Sequence, residues 1–145
     1  MKIVLKYGID KLLFGMKTAD VNSIYGKPDA EFKDDEKNLI YVYHSYKWRL
    51  TFYQDEDFRL GYIICAHPEL ELAGHTIIGG KIETLKEKLK TENLKDWELE
   101  HFDITENHFN ESNWLILQSE FGEVLRVEMG AMINDNDEFD WKFNK

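Results

Sequence analysis

At 145 residues, with 43% hydrophobic and 14% aromatic side chains, the chain has the composition of one folded globular domain. Its 28 carboxylates outnumber its 18 Lys and Arg residues. That excludes a binder of nucleic acid driven by charge, because affinity for phosphates comes from Lys and Arg.

The charge is also lopsided. Residues 1–70 hold ten basic and eleven acidic side chains, whereas residues 71–145 hold eight and seventeen, so the halves carry −1 and −9. A field concentrated on one half steers a protein toward a basic partner and away from acidic ones. The single cysteine, Cys65, rules out an internal disulfide and fits a reducing compartment. The N-terminal run has three consecutive apolar residues, Ile3-Val4-Leu5, against the roughly 7–15 of a signal peptide. No stretch approaches the ~20 apolar residues of a membrane span. The expectation is a soluble cytoplasmic protein that does not bind membranes.

In chain order, Leu12-Leu13-Phe14-Gly15-Met16 reads as an apolar lead-in that turns into a first helix, Thr18–Tyr25. Thr18 is its expected N-cap, Asp20 suits the positive helix start, and Gly26 with Pro28 ends it. Asp29–Asn38 is polar and reads as a loop. Period-two alternation then predicts strands over Leu39–Tyr46, Trp48–Tyr53 and Phe58–Cys65, an antiparallel meander of three. The second half repeats this order. Gly79-Gly80 leads into a helix at Ile82–Leu89, whose Lys and Glu residues form a solvated mixed-charge face. Trp97–Phe102, Trp114–Ser119 and Val124–Met129 follow as strands, with a turn at Glu120–Glu123. Trp48 and Trp114 open apparently equivalent hairpins. The expected fold is α+β: two tandem helix-plus-three-strand units, 1–70 and 71–145, forming one antiparallel sheet with both helices on one face. The other face would be open for use.

The run Gly15-Met16-Lys17-Thr18-Ala19-Asp20-Val21-Asn22-Ser23-Ile24-Tyr25-Gly26-Lys27-Pro28 resembles a "G-M-x-x-x-x-V-x-x-x-x-G-x-P" helix segment. This segment occurs in SmpA/BamE-like outer-membrane assembly lipoproteins and in the β-lactamase-inhibitory-protein group, which is built from two helix-plus-sheet repeats. The resemblance implies a protein-binding scaffold whose broad sheet covers a partner. Small, acidic members of this appearance also look like immunity proteins that neutralise basic nuclease toxins. The absence of a lipobox cysteine counts against an envelope role, and the absence of paired cysteines sets the chain apart from secreted inhibitors.

The candidate partner-binding residues form an acidic ridge. In an extended segment Glu98 and Glu100 share a face, with Phe102 next along it. Asp103 and Glu106 carry the charge into the next loop, Glu120 and Glu123 flank a turn, and Glu128 lies on the last strand. Carboxylates desolvated against a partner's Lys or Arg can couple strongly. Tyr43 and Trp48 are expected to add rigid aromatic contact area.

Other chemistry is weaker. The segment after Asn134 lacks the glycine and final Glu of a calcium loop, and Phe139, Trp141 and Phe143 at spacing two read as a last strand. Cys65 and His67 do not make a zinc set and point to no metal or cofactor, and Cys65 reads as a small buried residue. His101 beside Glu100, and His108 near Glu106 and Glu111, are the only acid–base candidates, with no nucleophile elbow or phosphate loop. The leading expectation is a non-catalytic inhibitor that binds a basic toxin domain. An assembly adaptor of the envelope-lipoprotein type and a small hydrolase are the alternatives.

Overall fold

The computed structural model describes residues 1–144. Strands β1 (Ile3–Val4), β2 (Gly8–Ile9) and β3 (Leu12–Leu13) make a small sheet before helix α1 (Thr18–Tyr25). Next come β4 (Ala30–Lys33), β5 (Leu39–Tyr43), β6 (Trp48–Tyr53) and β7 (Arg59–Cys65). A short ribbon, β8 (Glu71–Leu72) and β9 (His75–Thr76), precedes α2 (Ile82–Thr91). The chain then runs through β10 (Glu98–Phe102), β11 (Thr105–Asn110), β12 (Leu115–Glu120) and β13 (Glu123–Gly130). The eight strands of the two meanders form one antiparallel sheet in the order β10-β11-β12-β13-β7-β6-β5-β4.

This corrects the expected fold class. The chain is mostly β, with two short helices against an eight-stranded sheet, and it is not a pair of helix-plus-three-strand units. The short β1–β3 and β8–β9 ribbons were not expected, and within the eight-stranded sheet the two unexpected strands are β4 and β11. Their sequences, Ala-Glu-Phe-Lys and Thr-Glu-Asn-His-Phe-Asn, have little apolar alternation to betray them. Pairing fixes them instead: β4 lies against β5 from Ala30↔Val42 to Lys33↔Leu39, and β11 is held on both sides by β10 and β12.

Each helix start is pinned to the far strand of its own meander by backbone bonds. Gly15 N–H donates to Leu60 C=O (2.9 Å) and Leu60 N–H to Met16 C=O (2.7 Å). Gly79 N–H likewise donates to Val124 C=O (2.8 Å) and Val124 N–H to Gly80 C=O (2.9 Å). Thr18 is the first helical residue and not the N-cap. Lys17 holds the cap position, and its N–H donates to the Asp20 carboxylate at 3.0 Å, meeting one of the unpaired donors at the helix start.

The core fills the face of the sheet that bears the helices. Trp48, Leu50, Phe52, Leu60, Ile63 and Cys65 meet Leu115, Leu117, Val127 and Met129 there, with Val21 of α1 and Ile82, Leu85 and Leu89 of α2 above them. Tyr46 stacks on Trp48 at 4.5 Å, and Tyr25 meets that indole edge-on at 4.8 Å. Tyr43 Oη donates to Gly26 C=O at 2.7 Å, which ties the end of α1 to β5, and burial pushes the phenol pKa up to about 12. Burial also raises the Cys65 thiol, which is 1% exposed.

Trp48 and Trp114 are not equivalent. Trp48 begins β6 and points into the core, whereas Trp114 precedes β12 with φ +46° and lies half-buried on the opposite face. The residue matching Trp114 is Lys47, which also has positive φ (+54°) before its strand. The C-terminal segment is not the expected last strand. A single bridge joins Ile133 to Phe139, and the chain then packs across Gly15, with Phe143 N–H donating to Phe14 C=O at 3.0 Å.

Both meanders carry a register shift, at Thr51/Phe52 and at Gln118/Ser119. In the first, the extra residue is Gly61, and a Cβ there would come within 2.0 Å of the Tyr53 ring. Tyr53 is itself packed against Phe139 at 5.7 Å. Gly61→Ala is expected to lower unfolding free energy by about 1–3 kcal/mol, measured by urea denaturation, because the ring must leave its packed position.

Candidate partner-binding surface

Side chains of alternate strand residues point away from the helices and form the second face of the sheet. Register across the strands sets one row there: Val42, Arg49, Ile64, Glu128, Ile116, Phe109 and Glu98. A neighbouring row runs from Arg126 through Gln118 and Asn107 to Glu100. Arg49 gives the β5–β7 part of this face a basic residue. Carboxylates gather at both ends: Glu98 and Glu100 on β10, and Glu36, Asp55, Glu56, Asp137 and Glu138 around Tyr53, Phe139 and Trp141 in a cleft of about 610 Å³.

The expected partner residues separate into three groups. Glu98 and Glu100 are exposed on β10 and share the second face with Phe102, while Asp103 follows in the two-residue turn to β11 with φ +58°. Glu120 and Glu123 face each other across the β12–β13 turn, which keeps them on that face as well. Glu106 lies on the helix side, where its carboxylate is 3.1 Å from His101 Nδ1. Glu128 is half-buried and already occupied, because it accepts a hydrogen bond from Tyr62 Oη.

Two of the expected contact residues are corrected outright. Tyr43 and Trp48 are 3% and 2% exposed. Their rings pack under α1, so they offer a partner no contact area; their place in the period-two pattern put them on the core face.

The aromatic surface lies elsewhere. A cleft of about 980 Å³ opens at the β10 end of the second face. Trp97, Phe109 and Trp114 give it aromatic walls, and Asp96, Glu98 and Glu111 ring it with carboxylates. Phe109 meets Trp114 edge-on at 5.2 Å, and Trp114 meets Tyr62 in the same way at 5.5 Å. Chemically, such a cleft suits a Lys or Arg side chain, whose stem can lie on the rings while its charge meets the rim. Sequence reasoning missed Asp96, Phe109 and Glu111 as a group because β11 was read as loop. The available signal was Phe109 placed two residues from Asn107, on the same face of a strand.

The acid–base candidates are arranged differently from the sequence expectation. His101 pairs with Glu106 across the β10–β11 hairpin. His108 is 2% exposed and its Nε2 lies 3.0 Å from Ser119 Oγ, which is fully buried. Its Nδ1 has no partner among the described residues. Burial holds the His108 pKa below its ordinary value, and Lys86 of α2 pushes it further down, against opposing effects of Glu106 and Glu83. Among the described residues no three His, Cys, Asp or Glu side chains group as a metal site.

No protein-family model matches the chain, and no curated protein matches it. Among solved structures, it is similar to an extracellular protein containing a SCP domain from Bacillus anthracis str. Ames, known from a crystal structure at 1.5 Å. The two share 12% identity with a TM-score of 0.52, over 81% of this chain and 43% of that one. At that identity the likeness is one of fold alone, and the chain spans less than half the length of that protein.

Two outcomes test this geometry. Tyr62→Phe should lower stability by about 1.5 kcal/mol in urea denaturation, since it leaves the Glu128 carboxylate without its donor. Because the folded pKa of His108 lies below its unfolded value near 6.5, the unfolded state takes up a proton first as pH falls. The His108 contribution is therefore complete above pH ~6.5 and is lost as pH drops toward the folded pKa, with a slope of at most about 1.4 kcal/mol per pH unit. Unfolding free energies measured from pH 7.5 to 5 should show this slope, and His108→Gln should flatten it.

Proposed function

We propose that this chain is a non-catalytic protein-binding inhibitor of the immunity type, acting in the cytoplasm against a basic protein partner such as a nuclease toxin domain. The observation that carries the reading is the cleft where Trp97, Phe109 and Trp114 are ringed by Asp96, Glu98 and Glu111. An aromatic floor gives contact area that is costly to leave in water, and the carboxylates select a cation to enter it. The surplus of seventeen acidic over eight basic residues in 71–145 extends this selection over a longer range by speeding encounter with a basic protein. Glu98, Glu100, Asp103, Glu120 and Glu123 surround the cleft or continue the charge beyond it on that half of the sheet.

Inhibition needs coverage, not chemistry. A sheet face of this breadth can occlude the active site of a nuclease, which is itself basic because it must hold phosphates. Association would be fast at low salt and slow as salt screens the field, with dissociation much less affected.

The full chain, used as bait, should capture a protein of basic isoelectric point. That protein, once purified, should lose its nuclease activity when the chain is added. Reversing Asp96, Glu98 and Glu111 to Lys together should weaken the complex by about 100-fold or more in a direct binding titration. Reversing Glu31 and Asp35, exposed at the distant β4 edge and β4–β5 turn, should change it by less than about threefold. An acidic partner, or binding that survives the triple reversal, would overturn the reading.

A further inference from the structure

We propose that the outer edge of β10 receives a strand of the basic partner, which joins the sheet as an added strand with Lys or Arg side chains set beside Glu98 and Glu100. This rests on the reading above and says how the partner docks. The sheet ends at β10, all five of whose residues are exposed, and among the described residues no strand pairs with its outer side. A sheet edge carries a row of unused N–H and C=O groups, so proteins usually guard edges with charged side chains, Lys above all, or with Pro, bulges or short strands. The charges on β10, Glu98 and Glu100, repel another acidic edge and admit a basic one.

The opposite edge is guarded in this way. β4 has four residues, follows Pro28 and ends in Lys33, whose Nζ lies 5.7 Å from the Phe58 ring. Phe32 on the same strand remains 43% exposed, with the Arg49 guanidinium 5.5 Å from its ring. β10 has neither Lys nor Pro, and its pairing with β11 runs from Glu98↔Phe109 to Phe102↔Thr105 without a register shift. It also leaves Leu99 48% and Phe102 50% exposed. The edge is therefore regular, open and sticky.

Its chemistry selects the occupant. An added strand would place alternate side chains beside Glu98 and Glu100 on the second face, and the others beside Leu99 and His101 on the helix side. Alternating basic and apolar residues satisfy both rows. A second copy of this chain does not. Two-fold pairing of β10 with itself, centred on Leu99 or on Glu100, sets glutamates directly opposite one another, and like charges so placed are destabilising. Centred on His101, it sets Glu100 opposite Phe102 and keeps only three of the five residues paired within the strand. Each copy also brings a net charge of −10. The same peptide would pass the mouth of the aromatic cleft, whose rim includes Glu98, so edge pairing and side-chain insertion act on adjoining parts of one partner.

The test uses the full chain and three capped heptapeptides at low salt. One alternates Lys and Val, one alternates Glu and Val, and one is the Lys–Val peptide N-methylated at alternate backbone nitrogens. Amide hydrogen exchange is read by NMR. The Lys–Val peptide should slow exchange at alternate amides within Glu98–Phe102 by about tenfold or more, and the other two should not. Equal effects from the N-methylated peptide, or shifts confined to the Trp97 and Trp114 indoles, would overturn edge pairing while leaving a basic partner in the cleft. Protection of β10 that appears without peptide and grows with protein concentration would assign the edge to a second copy and overturn the proposal. A silent Lys–Val peptide would also overturn it. The charge-reversal experiment decides the wider reading independently.

Discussion

The antiparallel pairing of β13 with β7 is the contact on which the rest of the structure depends. Four residue pairs, Val127↔Cys65, Glu128↔Ile64, Met129↔Ile63 and Gly130↔Tyr62, join the final strands of two consecutive meanders. Without that seam each half would be a four-stranded sheet with one helix and an open edge, too small to bury a core efficiently. With it, Cys65, Ile63, Val127 and Met129 become the middle of a single apolar face, and both helices cover it. The seam is also held from the other side, where Tyr62 donates to Glu128 and its ring lies against Trp114.

The same seam decides where the charge goes. Each meander closes on its last strand, so the first strand of each is driven outward, and β4 and β10 become the two edges. The nearly neutral half therefore ends in a strand with one acid and one base, Glu31 and Lys33, and the acidic half ends in one that carries Glu98 and Glu100. The excess of carboxylates would be a solubility feature if it were spread over the molecule. Here the topology sets Asp96, Glu98, Glu100 and Asp103 at one end, next to exposed Leu99, Phe102 and Ile104, while Asp137 and Glu138 lie beside Tyr53 on the other half.

The first helix and the apolar strands were legible in the sequence, the fold class was not, and the two strands missed in the large sheet share one physical cause. The helix at Thr18–Tyr25 could be read because Asp20, Gly26 and Pro28 are local signals, although its cap is Lys17, and the strands with Ile, Val, Leu and aromatic alternation because one of their faces is buried. β4 and β11 carry no such pattern, since partner strands hold them and not apolar burial, so an α+β reading with three strands per unit followed. The candidate site was legible in charge but not in shape. Glu98 and Glu100 could be paired by period two, whereas Tyr43 and Trp48 were placed on the wrong side because period two gives alternation and not direction. Tyr62 as the donor to Glu128 could not be read at all, since it lies 66 positions away.

Trp114 shows how stability and the candidate surface are joined. Its left-handed backbone turns the indole away from the helix side, and Gly130, beside the seam, makes room for it: a Cβ there would lie 2.9 Å from the ring. The indole is then held edge-on between Tyr62 of the seam and Phe109 of the cleft floor. One wall of the cleft is thus part of the packing that fixes the two meanders together. A wall held in this way loses little conformational freedom when a side chain enters, so more of the contact energy remains as affinity. The cost falls on folding, because an indole has been left half-exposed on the second face where the matching position of the first meander carries Lys47. That difference between matching positions is what gives the second face an aromatic cleft at this end.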